Sequence, residues 1–242
     1  MHHYNYINKN NIDNIVHCAA RVGGVKENSD KLGEFFYENM MMTLNILEAA
    51  RLCNVKKTVC LLSTCIFPDD ATYPLSVEQI HHGEPHNSNY GYAYAKRMTE
   101  INARAYRDQY NMNIVNVIPC NVYGMGDNFN LQSSHMIPAL IHKCYKACPR
   151  QDFKVWGDGT PLREFIYNKD LGKIIDWVLE NYNEKEALII STDDEVSVKE
   201  IVSTICEEFK FEGQVIYDES MPKGQYRKPS DNSKLIKLGW KQ

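Results

Sequence analysis

Apolar residues fall into two alternating textures along the chain. Three short runs, "NIVHCAA" (14–20), "KTVCLLS" (57–63) and "NIVNVIP" (113–119), have almost no polar phase, as expected of strands covered on both faces. Between them lie longer stretches of helical spacing, over about 30–52 and 91–108. In the first, Leu32, Phe36, Met40, Thr43, Leu47 and Ala50 recur on one face, predicting a helix that covers the core or meets a partner helix. The alternation predicts an α/β chain with a parallel sheet between two layers of helices.

Past residue 150 the units shorten: "DFKVWGDGTPLREFIY" (152–167), a helix near 170–182, "ALIIS" (187–191), a helix near 197–209 and a strand at "QVIY" (214–217). This texture predicts a smaller α/β lobe over 151–242 beside a sheet domain over 1–150. In an open parallel sheet the ligand crevice lies beyond the carboxyl ends of the strands. Three such ends carry unusual residues here, "CAARVGG" (18–24), "STCIFP" (63–68) and "PCNVYGMGDN" (119–128).

The helix at 91–108 begins in "NSNYGYAYAKRMTE" (87–100), where Asn87, Ser88 and Asn89 are each able to cap exposed backbone N–H groups. Residues four apart share a helix face, so Tyr92 lies beside Lys96 while Tyr94 points elsewhere. A phenol beside an ammonium is a candidate proton donor and acceptor. The spacing alone fits equally a packed tyrosine and a solvated lysine.

Charge narrows the picture little: 27 Lys and Arg against 31 Asp and Glu give a net charge of −4, with no basic cluster of the kind that binds nucleic acid. No apolar run is long enough to cross a membrane, and the first residues have no secretory apolar region. The eight cysteines are scattered, several within apolar runs, as reduced cytoplasmic thiols are. Cys144, Cys148 and His142 lack the paired spacing of a metal site, so none is expected.

Taken jointly, Ser63 at a strand end, Tyr92-x-x-x-Lys96 on the next long helix and "PCNVYG" after the following strand resemble the extended short-chain dehydrogenase/reductases that act on nucleotide sugars. The resemblance sharpens to the GDP-L-fucose synthase family through "AARVGGVKENSDKLGEFFYENM", "STCIFPDDATYPLSVEQIHHGEPHNSNYGYAYAKRM", "IPCNVYGMGDNFNLQSSHMIPALIHK", "VWGDGTPLREFIY" and "GQYRKPSDNSKL". Where a 4,6-dehydratase would carry an Asp-Glu pair after the Ser-Thr, this chain has Cys65-Ile66.

The resemblance implies a Rossmann-like doubly wound sheet, NADP(H) as cofactor, a GDP-sugar substrate and a homodimer formed through the helices near 30–52 and 91–108. The implied reaction is NADPH-dependent 3,5-epimerisation and 4-reduction of GDP-4-keto-6-deoxy-mannose to GDP-L-fucose. Cys65 and His135 fall on the proton-moving pair of the epimerisation, and both side-chain types titrate near neutrality. Tyr92 falls on the acid of the reduction, with Lys96 depressing its pKa and reaching the nicotinamide ribose and Ser63 orienting the carbonyl oxygen. Ala19, Ala20, Val22 and Asn121 fall on positions near NADP; Gly23-Gly24 shapes the turn beside the sugar. Asn121, Lys143, Trp156, Arg163 and Lys228 fall on positions that hold the GDP-sugar.

A dinucleotide fold of this family opens with an apolar strand and a Gly-rich turn that receives the pyrophosphate. Only about a dozen residues precede "NIVHCAA", which matches the family's fourth strand, so the resemblance implies a chain shortened at both ends and a partial sheet without its first strands. The expected consequence is weak NADPH binding by this polypeptide alone. A catalytically inactive homologue that binds a nucleotide sugar or a protein partner is the alternative.

Overall fold

The computed structural model describes residues 2–192, 194–221 and 226–240. In chain order these form α1 (His2–Asn10), β1 (Asn14–His17), α2 (Val25–Asp30), α3 (Leu32–Leu52), β2 (Lys57–Leu61), α4 (Tyr90–Tyr110), β3 (Ile114–Pro119), β4 (Asn121–Tyr123) and α5 (Met136–Ala147). They continue with β5 (Phe153–Trp156), β6 (Leu162–Tyr167), α6 (Asn168–Asn181), β7 (Leu188–Ile190), β8 (Glu195–Ser197), α7 (Val198–Phe209), β9 (Val215–Asp218) and α8 (Ser233–Lys237). Short 3-10 turns lie at Thr64–Ile66 and Val77–His81.

The main sheet is parallel, in the order β1-β2-β3-β7, with Val16 opposite Val59, Val59 opposite Val115 and Val117 opposite Leu188. Its central strands are apolar on both faces because helices cover both. On one side Leu171, Ile174, Ile175 and Val178 of α6 pack on Val59, Val115 and Val117. On the other, Leu47 of α3 and Ala103 of α4 pack on Cys60 and Ile114. Each fully buried aliphatic side chain of this kind contributes about 1.5–3 kcal/mol.

Strand β7 comes from the stretch expected in the smaller lobe, yet it completes the main sheet. Conversely, α5, from the first 150 residues, packs on β5 and α7. The chain therefore crosses between the two layers more than once. The smaller layer is made of β4-β6-β8 and of β5 paired with β9.

Helix α3 corrects the expected face. Phe35, Asn39, Thr43, Leu47 and Ala50 are buried, whereas Phe36 is 41% exposed and Tyr37 64%. The difference is one residue of phase at the N-terminal half, where both Phe35 and Phe36 are apolar and spacing could not choose between them. Helix α4 starts at Tyr90 with Asn89 as N-cap, but no side-chain cap bond is made there. Its first turn comes so close to α3 that a Cβ on Gly91 would lie 2.2 Å from the Leu32 carbonyl oxygen. Only glycine fits that crossing.

Candidate active site

The carboxyl ends of β1, β2 and β3 open on one edge, as the strand order requires. After β1 the loop Cys18–Gly24 runs along that edge, with Cys18, Ala19 and Val22 exposed. Asn39, buried on α3, fixes this loop: its Nδ2 donates to the carbonyls of Arg21 (3.1 Å) and Phe35 (2.7 Å), and its Oδ1 accepts from the Arg21 N–H (3.1 Å). Gly24 donates its N–H to the Ser133 carbonyl (3.2 Å), tying the β1 loop to the segment that leads into His135.

After β2 the chain turns at Ser63, whose Oγ caps the 3-10 turn by accepting from the Cys65 N–H (3.4 Å). The same hydroxyl lies 2.8 Å from the Cys65 thiol and is close enough to the Tyr92 phenol to lower its pKa. Three of the expected site residues thus meet on one oxygen. Tyr92 is held from behind by Phe35, edge to face at 6.4 Å.

Lys96, one turn further along α4, is buried and donates to the Leu61 carbonyl (2.8 Å). Its ammonium stands 5.8 Å from the Tyr92 ring centroid, over the ring. This placement corrects one expectation: Lys96 does not depress the Tyr92 pKa. Burial pushes the phenol above its ordinary value, the neighbouring Cys65 adds to the rise, and the Ser63 hydroxyl offsets part of it. Tyr92 is a neutral acid at neutral pH. Burial also lowers the Lys96 pKa, while Cys60, Cys65 and Cys18 pull it back up.

Across the crevice, Arg163 of β6 and Lys228 are both half-buried and unpaired with any carboxylate among the described residues. Burial lowers the pKa of each; Arg163 lowers that of Lys228 further, while Cys65 and Asp69 draw it the other way. Lys228 rides on a strap, residues 226–231, that is tied along its length, with Arg227 paired to Glu195. Leu75 donates its N–H to Pro229 and accepts from Asp231 (both 2.8 Å), Leu162 donates to Tyr226 (2.8 Å), and the Ser230 N–H reaches the Glu164 carboxylate (3.1 Å). Glu164 is buried and also accepts from Ser191 Oγ at 2.6 Å. Gly224 and Gln225, which open the "GQYRKPSDNSKL" motif, lie outside the described residues.

Further out, Lys143 of α5 stands over the Trp156 ring at 4.9 Å, and Trp156 itself is 51% exposed. Burial lowers the Lys143 pKa. Asn121 spends its Nδ2 on the Glu164 carbonyl (2.8 Å). His135 is exposed at the N-cap of α5. Among the described residues no hydrogen bond or ion pair links His135, Lys143 or Trp156 to the Ser63–Cys65–Tyr92 group, so the site comprises an inner reactive cluster and an outer rim.

The inner cluster carries a buried ammonium that makes one hydrogen bond and has no counter-ion among the described residues, beside a loop in which Cys18, Ala19 and Val22 are exposed. Such a group fits the hydroxyls of a nicotinamide ribose.

The model of the NAD dependent epimerase/dehydratase family matches residues 4–191. The chain belongs to this family. Within it the chain falls among the GDP-L-fucose synthases: it is 46% identical to GDP-L-fucose synthase of Dictyostelium discoideum, over 96% of this chain and 74% of the relative. It is 40% identical to the probable GDP-L-fucose synthase of Drosophila melanogaster, over 91% and 72% respectively. The crystal structure of a GDP-L-fucose synthetase from Naegleria fowleri bound to NADP superposes with a TM-score of 0.91 at 39% identity, covering 98% of this chain and 73% of that one.

Among family members, spacing and resemblance point to Ser63, Cys65, Tyr92 and Lys96 as one group, and the fold assembles them. They do not point to Asn39, which holds the loop after β1, or to Glu164, which holds the strap at Ser230. Both had a local signal: Asn39 is in phase with Phe35 and Thr43 on a buried face, and Glu164 shares an inward phase with Ile166. No described helix is long and apolar enough to cross a membrane.

Proposed function

We propose that this chain carries out the 3,5-epimerisation and 4-reduction of GDP-4-keto-6-deoxy-D-mannose to GDP-L-fucose with NADPH. The observation that carries the reading is the Ser63 hydroxyl, shared by a thiol suited to moving protons and a phenol suited to giving one. A 4-keto group acidifies the C–H bonds at C3 and C5, and removing either proton leaves an enolate whose charge sits on the C4 oxygen. Ser63 and Tyr92 stabilise that oxygen as hydrogen-bond donors. Cys65 and His135 act from the two sides of the ring, one removing and the other returning each proton, so that both centres invert.

NADPH bound beside Ala19, Ala20, Val22 and Lys96 supplies hydride to C4. Tyr92 then gives its proton to the C4 oxygen that it already holds. Its raised pKa suits that duty, since a neutral phenol is the form that donates. Trp156 and Lys143 form a wall and a charge for the nucleotide, Asn121 flanks both ligands, and Arg163 with Lys228 face the diphosphate.

The test is incubation of the chain with the keto sugar in deuterated water, with and without NADPH. Deuterium at C3 and C5 without NADPH, and GDP-L-fucose with it, is the expected result. A folded chain that leaves both carbons undeuterated sinks the reading; exchange without reduction cuts it back to a 3,5-epimerase.

The exposed apolar residues Phe36, Tyr37, Met41, Leu44 and Tyr90 on α3 and α4 support a homodimer through these helices. Eight free cysteines support a cytoplasmic setting.

A further inference from the structure

Arg97 follows Lys96 on α4 and is 4% exposed. Its Nε donates to the Ile66 carbonyl at 2.5 Å and its Nη1 to the Gly83 carbonyl at 2.7 Å. Tyr94, the tyrosine with no place in the reaction, stacks on the guanidinium at 5.4 Å. Among the described residues no carboxylate pairs with the charge, and Nη2 has no partner. Burying an arginine against carbonyls alone is costly, because desolvation opposes the charge and two dipoles return only part of it.

The two carbonyls define what this arrangement holds. Ile66 closes the 3-10 turn that presents Cys65, and Gly83 lies at the far end of the excursion that begins there. A Cβ on Gly83 would meet Asp70 at 3.0 Å and Pro68 at 3.2 Å, and the Asp69 N–H bonds the Glu84 carbonyl (2.9 Å), so the excursion closes on itself at its base. Within it, Leu75 anchors the strap that carries Lys228. One guanidinium fork on the Tyr92 helix therefore joins the turn that presents Cys65 to the base of the excursion that anchors the Lys228 strap.

We infer that Arg97 is a positioning residue for the epimerisation half of the reaction, setting the Cys65 thiol relative to Ser63 and Tyr92. Its planar fork reaches both carbonyls at fixed angles, whereas a lysine in its place reaches one. The inference rests on the proposed function, and its test is chosen so that the two fail separately.

The experiment compares the full chain with Arg97→Lys and with Arg107→Lys. Arg107, on the same helix, donates to the carbonyls of Ile114 and Asn183 away from the crevice and serves as the structural control. Two readouts are taken at pH 7: the ratio of C3/C5 deuterium exchange to NADPH-dependent reduction, and the rate of Cys65 alkylation by iodoacetamide, followed by peptide mass spectrometry with exposed Cys18 as internal reference. Arg97→Lys is expected to lower the exchange-to-reduction ratio about 10-fold, as loss of orientation does, and to change Cys65 alkylation several-fold relative to Cys18. Arg107→Lys is expected to lower the melting temperature while leaving both readouts at the parent value.

A folded Arg97→Lys chain with parental ratio and parental alkylation overturns the inference, as does an Arg107→Lys chain that shifts both readouts equally. Should Arg97→Lys not fold, Tyr94→Leu removes only the stacked ring and reads the same two quantities, with the same outcomes deciding. If the parent chain gives neither exchange nor reduction, the functional reading falls, and the Cys65 alkylation rate alone supports or overturns the positioning.

Discussion

Gly91→Ala sets two effects of opposite sign against each other. A helix gains up to ~1 kcal/mol when glycine becomes alanine. Here the added Cβ would stand 2.2 Å from the Leu32 carbonyl oxygen, with the Leu32 carbonyl carbon and Cα at 2.9 and 3.1 Å. Against a tightest tolerable approach of 3.0 Å, the start of α4 must move by about 0.8 Å, and the obstacle is backbone, which does not swing aside. Overpacking costs ~1–3 kcal/mol, and against unyielding backbone the upper part of that range, ~2–3 kcal/mol, applies, so the net effect is a loss of about 1–2 kcal/mol. For a chain of this size that lowers the melting temperature by ~2–8 °C. Tyr92 is the next residue, and displacement of that order is expected to slow reduction by ~10- to 100-fold. The assays are thermal unfolding and NADPH oxidation with the keto sugar. A variant as stable as the parent, or more stable, with unchanged turnover refutes the reasoning, because helix propensity would then have outweighed the crossing.

Tyr92→Phe should reduce C4 ~10²–10⁴-fold more slowly while deuterium exchange at C3 and C5 persists, and Cys65→Ser should impair exchange first; the reverse pattern in these two assays overturns both roles. Because Tyr92 titrates above its ordinary value of 10, reduction should show no loss of its acid as pH rises to 9, which a pH–rate profile checks. His17 is buried against Thr43 (3.3 Å), and burial, with Lys96 nearby, lowers its pKa from 6.5 to about 4. Its folded form refuses a proton that the unfolded chain accepts. Stability should therefore be full above pH 6.5 and fall by about 3 kcal/mol as pH drops toward 4, and His17→Gln should flatten that slope in urea titrations. Lys143→Met should raise KM for the GDP-sugar ~2- to 30-fold with kcat held, since the Trp156 contact acts on the nucleotide and not on C4.

The sheet and the inner cluster were legible because their signals are local. Runs such as "KTVCLLS" name buried strands without reference to anything distant, and Tyr92 and Lys96 share a face through helical spacing alone. What escaped was set by tertiary phase. Phe35 and Phe36 are equally apolar, and only packing against Tyr92 turns one inward and leaves the other exposed. Lys96 was expected to act on the Tyr92 hydroxyl; the backbone carbonyl of Leu61, 35 residues away, draws its ammonium over the ring instead. Glu164 reads as an ordinary strand acid until Ser191 and Ser230, from two later segments, converge on its carboxylate.

The strap across the crevice joins Leu75 to Ser230, two residues that meet only after almost the whole chain has been laid down. Bringing such distant points together carries a loop-closure cost that contacts within the sheet's neighbouring units do not, so the strap is expected to close after the sheet. Lys228 should thus be the last site group to arrive on refolding, so that recovery of diphosphate binding lags behind the spectroscopic signal of the sheet and reports completion of the fold.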